Sequence, residues 1–173
     1  MATSLYDLSV ANYLQMLSGV VSFLDEGLTH FQAHNLDLNE IVETRLFPDM
    51  LPLRFQIQSV AHHSRGAIDG VKNGLFQPPP PIPALDYAGL QQLVADARDA
   101  LQRVTPAEVN ALEGKDVTFQ MGNFKLPFTA ELFILSFSLP NFYFHATTAY
   151  DILRMKGVPI GKRHFMGQMR LKS

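Results

Sequence analysis

The sequence contains no cysteine, which excludes disulfides and thiol-based catalysis and fits a reducing compartment. Charge of either sign is sparse. Lys and Arg number 14 against 16 Asp and Glu, a net charge of −2, so no basic excess points to a nucleic-acid partner. No long apolar run is present either. The most apolar segment, Leu132 to Leu139, is too short to span a bilayer. The N-terminus lacks the basic flank and apolar stretch of a signal peptide. A cytoplasmic protein with no membrane partner is expected. Also missing are a Gly-rich phosphate loop, a Ser-His-Asp signature and carboxylates paired at a fixed spacing. No repeat or second domain breaks the chain, so residues 1–173 read as one domain.

What is present is apolar and periodic. Hydrophobic residues make up 47% of 173, enough for one sizeable core. Val10, Leu14, Leu17, Val21, Leu24, Leu28 and Phe31 recur at helical steps, predicting a helix over 5–33. Gly19 and Gly27 interrupt it where a neighbour can approach closely. Asn35-Leu-Asp37 stops it, and Asp37 or Asn39 can cap a short helix to Arg45. Pro48 pushes Phe47 out of helical geometry, so the second long helix is expected over 50–73, ending at Asn73-Gly74. Gln77-Pro-Pro-Pro-Pro-Ile-Pro83 favours polyproline II. It reads as a crossover between helices, or as a ligand for a proline-binding module. Asp86 caps a third helix over 86–104, and Thr105-Pro-Ala-Glu108 is a capping box opening a short one. Two short runs around Gly122-Asn123 predict a hairpin over 117–128, with Pro127 restricting its strand to an edge. Thr129 caps the fourth long helix, expected over 130–156. The fold class is therefore all-α: a four-helix bundle with short accessory helices and a small β-hairpin.

The chemistry concentrates in Leu139-Pro-Asn-Phe-Tyr-Phe-His145. Asn141 and His145 are one turn apart and share a helix face, among Phe142, Phe144, Ile152 and Leu153. Pro140 frees the Ser136 carbonyl just before them. On the second helix, His62 lies on a line with Leu51, Phe55, Gln58 and Arg65, and His63 is offset from it by about 100°. Asn141, His145 and His62 can converge between helices two and four. Zinc usually has several nitrogen, sulfur or oxygen ligands, and an amide is a poor one for a transition metal. An alternative is a buried, hydrogen-bonded histidine, with Asn141 capping the freed carbonyl. Tyr150 and Asp151 need partners at mid-helix, which Arg45 and Asp49 are placed to give.

Arg45-Leu-Phe-Pro-Asp-Met-Leu-Pro-Leu53, Gln56-Ile-Gln58, Leu139 to Arg154, Gly157-Val158 and Gly161-Lys162 together resemble a family of unknown function. It is a branch of the DinB/YfiT-like metalloenzyme superfamily. The resemblance covers nearly the whole chain. It implies a four-helix bundle with a long crossover between helices two and three. It also implies one histidine from helix two and a His-x-x-x-His pair from helix four around nickel or zinc, with thiol-dependent transferases and a maleylpyruvate isomerase among known activities. In this chain the second histidine of the pair falls on His145, Asn141 stands at the first, and His62 matches the helix-two ligand. Two classes of function follow. One is a small-molecule enzyme with His145 as general acid or base, Asn141 orienting substrate or stabilising an oxyanion, and His62 as a second acid/base or, with His145, a residual metal ligand. The other is a metal-free ligand-binding or structural bundle. A homodimer is expected in either case.

Overall fold

The computed structural model describes residues 3–79 and 83–172. Residues 80–82, at the heart of the proline-rich crossover, lie outside the described residues.

The chain is mostly helical. α1 (Leu5–Leu8) and α2 (Val10–Ala33) form the first long segment. They are separated at Ser9, whose backbone leaves helical geometry and whose hydroxyl donates to the Leu5 carbonyl. Asn35, in the left-handed region with φ 53°, ends the segment. α3 (Leu38–Val42) is capped by Asp37. The second long segment starts later than expected, because Pro52 is extended, with ψ 171°, and acts as the N-cap. It consists of α4 (Leu53–Ala61), a π-helical turn (His62–Gly66) and α5 (Ala67–Asn73). α6 (Tyr87–Gln102) is the third, with Asp86 as its cap, and α7 (Pro106–Asn110) follows from the Thr105 capping box. The fourth comprises α8 (Ala130–Leu132), a second π-helical turn (Phe133–Ser138) and α9 (Leu139–Met155). α10 (Lys162–Met166) ends the ordered elements.

The all-α expectation needs correction, because the molecule also carries a three-stranded sheet. β2 (Asp116–Met121) and β3 (Phe124–Thr129) form the hairpin, paired from Asp116↔Thr129 to Met121↔Phe124. β1 (Leu75–Phe76) lies parallel to the far edge of β2. Gly74, at φ 72°, turns the chain out of α5 and straight into that edge. Two residues are too few to display an alternating pattern, so β1 leaves no signature in the sequence. Sheet order β1-β2-β3 leaves β3 at an edge, where Pro127 costs no ladder bond.

α2 packs on α6, α6 on α4, α4 on α9, and α9 returns to α2. Tyr13, Phe23, Phe31, Tyr87, Phe133 and Phe142 are fully buried between them. Each such side chain stabilises the fold by roughly 1.5–3 kcal/mol relative to exposure. The buried face of α2 centres on Tyr13, Leu17, Val20, Phe23, Leu24 and Phe31. Leu14, Val21 and Leu28 of the expected stripe are only partly buried. Both glycines of α2 sit at close approaches. A Cβ on Gly27 would lie 2.5 Å from the Tyr87 hydroxyl, and one on Gly19 would lie 2.5 Å from the Phe165 carbonyl. Tyr87 donates to the Leu24 carbonyl, tying the third long segment to the first.

Candidate functional site

The two π-helical turns meet. Pro140 explains the second of them. It has no N–H to continue an α-helical ladder, and its ring crowds the carbonyl four residues back. A stretch of i→i+5 bonding just upstream accommodates both. Ser138, at the end of that turn, donates to the His63 carbonyl of the first turn at 2.7 Å and accepts from Tyr13 at 2.8 Å. Asn141 donates to the Phe137 carbonyl at 2.7 Å. The amide therefore caps a backbone oxygen loosened beside Pro140, that of Phe137 rather than Ser136. Away from the site, Arg45 turns to the Met50 carbonyl and Tyr150 to the Ile160 carbonyl, so the partners expected for Tyr150 are replaced by backbone.

π-helical turns are rare and concentrate at functional sites. Here the first turn opens with two adjacent histidines that face different ways. His62 faces the crossover: its Nε2 lies 2.8 Å from the Gln77 carbonyl, and its ring stacks on Phe76 with centroids 4.4 Å apart. It lines a groove of about 240 Å³ between the second and third long segments, with Arg65 and Asp69 on its own wall and Leu93 and Asp96 opposite. The ring that lies over His145 belongs to His63. The two are nearly parallel, at 17°, with centroids 5.9 Å apart. His145 is further held by Gln56, whose Oε1 is 2.8 Å from its Nδ1, and by edge contacts to Phe55 and Phe144. His63 also touches Phe76 and Phe137.

This environment keeps the imidazoles neutral. Burial pushes His63 down to about 3, assisted by His62 and His145. Burial alone pushes His145 down to about 4. His62 is lowered by burial against the opposing pull of the Gln77 carbonyl. The Nδ1 of His63 is buried and has no hydrogen-bond partner among the described residues.

The grouping expected from the sequence is therefore rearranged. His145 lies between the second and fourth long segments, but its imidazole neighbour is His63, and Asn141 is occupied with backbone. Gln56 and His63 had a signal in the sequence. They are seven residues apart, which places them on one helix face, and both face α9. The donors do not fit the metal that the superfamily implies. Among the described residues no three His, Asp or Glu side chains group to hold an ion. His62 and His145 each direct one nitrogen at an amide or carbonyl oxygen, and the position of the third ligand is a neutral amide.

A helical chain with this order of elements and a crossover after the second long segment has the DinB-like fold. A crystal structure described as a DinB family member protein from Shewanella denitrificans superposes with a TM-score of 0.77 at 25% identity, covering 98% of this chain and 95% of that one. The chain belongs to the family described as a domain of unknown function, DUF1993, whose model matches residues 5–166. No curated protein matches it. No helix among the described residues is long and apolar enough to cross a membrane.

Proposed function

We propose that this four-helix bundle binds a small, flat, uncharged molecule bearing an O–H or N–H group at the His63–His145 pair, and that His145 acts on it as a general base. The reading needs no metal. The observation that carries it is the buried Nδ1 of His63, which has no partner among the described residues. Leaving such a group unpaired costs about 1–3 kcal/mol, and a role at a site is one of the explanations for such a group in a native protein. Two further features favour an uncharged ligand. Both rings are neutral near pH 7, and no carboxylate or cation among the described residues is a principal influence on either. The rings that touch the pair are aromatic, Phe55 and Phe144 on His145 and Phe76 and Phe137 on His63.

The test is NMR titration with phenol and with anisole, which share a ring but differ in the O–H. Phenol should shift the imidazole signals of His63 and His145 saturably, and anisole should bind about tenfold more weakly, a difference of about 1.4 kcal/mol. His63→Phe should abolish the phenol response while the protein stays folded. If phenol and anisole act alike, or neither perturbs these rings, the reading fails and a structural role for the pair takes its place.

A further inference from the structure

The polar atom closest to His145 belongs to a residue that the proposed function leaves without a part. Gln56 is 2% exposed, so water does not compete for its amide. Its Nε2 lies 2.8 Å from the Leu51 carbonyl, and its Oε1 lies 2.8 Å from His145 Nδ1. A carbonyl oxygen can only accept, so the Leu51 contact fixes which end of the amide is nitrogen. The oxygen must then face His145. An amide oxygen also only accepts, so the hydrogen in that second bond belongs to Nδ1. A neutral imidazole carries one N–H, so Nε2 is left with its lone pair. It makes no hydrogen bond to another described residue.

The frame behind this is fixed on both sides. Arg45 donates to the Met50 carbonyl at 2.7 Å, and the Leu53 amide donates to the Thr44 carbonyl at 2.9 Å. Together they hold the 45–52 loop, and with it the Leu51 carbonyl, against the start of α4. The chain of dependence runs from loop backbone to amide to imidazole.

We propose that Gln56 is the positioning residue of this site: it locks His145 in the Nδ1–H tautomer and presents Nε2 as the proton acceptor. The inference rests on the proposed function for its importance, but not for its test. An unconstrained neutral histidine favours the opposite tautomer, with the proton on Nε2, so the lock has a spectroscopic signature. It also selects ligands. A group that donates a hydrogen meets the Nε2 lone pair, while one that only accepts meets repulsion.

The experiment is a long-range proton–nitrogen NMR spectrum of the ligand-free protein, with histidine ring nitrogens labelled, at neutral pH. In the wild type, His145 should show a protonated Nδ1 and an unprotonated Nε2. Gln56→Leu removes the acceptor, and the signature should move toward the Nε2–H form. Gln56→Glu keeps an acceptor oxygen toward His145, so Nδ1 should remain protonated. A wild-type spectrum with the proton on Nε2 overturns the proposal whatever the variants do. So does a Gln56→Leu protein, folded by circular dichroism, with an unchanged His145 signature. A locked tautomer in a protein that ignores phenol would instead sustain this proposal and sink the proposed function.

Discussion

His63 and His145 make the molecule sensitive to acid. Each has an ordinary value of 6.5 and is held lower in the fold, at about 3 and about 4. Above pH 7 both are neutral folded or unfolded, and they contribute no slope. As the pH falls below about 6.5, the unfolded chain takes up protons that the folded chain refuses, so stability is lost as pH drops toward those lowered values. Urea unfolding between about pH 7 and about pH 4.5 should show this decline. His63→Phe should flatten it, because one of the buried rings that refuse protons is gone. At pH 7 the same substitution should be neutral or stabilise by about 1 kcal/mol, since it replaces an unpaired buried nitrogen with carbon in an aromatic surround. A steeper slope in the variant would contradict this account.

The end of the chain illustrates how one element depends on another. α10 lies across α2, and Gly19 is what admits it. A Cβ there would sit 2.5 Å from the Phe165 carbonyl and 2.8 Å from that of His164. Both obstacles are backbone, so the helix cannot yield by turning a side chain. Gln15 donates to the Met166 carbonyl and Arg170 to the Asn12 side chain, so the whole segment moves if α10 moves. Gly19→Ala should destabilise by about 1–3 kcal/mol and expose residues beyond Gly157 to limited proteolysis, with α2 itself intact. The termini of elements were largely legible in the sequence. Asp86, Thr105 and Thr129 cap where capping residues should, Gly74 stops α5, and Pro127 lies in an edge strand. These are local signals, each set by one or two side chains and their own backbone. The π-helical turns were not legible. Helical periodicity assumes a constant angle per residue, and a turn that carries an extra residue breaks the assumption without changing any residue's preference. His62 was favoured over its neighbour for another reason, its place on the line of Leu51, Phe55, Gln58 and Arg65, while the distant pairing of Gln56 with His145 needed the packing of α4 on α9.

At the scale of the whole molecule, the side chains left outside are as informative as the core. Phe47 is 63% exposed, Leu51 46% and Phe144 56%. The Leu51 carbonyl accepts from Gln56, and the Phe144 ring packs edge-on against His145. Contiguous exposed apolar patches mark association surfaces. We expect a homodimer that covers them. Light scattering coupled to size exclusion should give twice the 19.4 kDa chain mass, and Phe144→Glu should shift the species to the monomer. A wild-type protein that runs as a monomer at all accessible concentrations would contradict this.

The π-helical turn at His62–Gly66 also bears on how relatives are to be compared. A turn bonded i→i+5 has absorbed one residue beyond the α-helical count. Removing a single residue there would restore an unbroken helix and leave the segments on either side in nearly the same phase, because the wider turn takes up the added residue. A homologue without the turn would thus carry a one-residue gap at this place, with the residues before and after it keeping their faces. Where the gap is drawn within the turn would then decide which residue is set against His63. The length of the second long segment, counted between the Leu53 start and the Gly74 stop, would then record whether the turn is present.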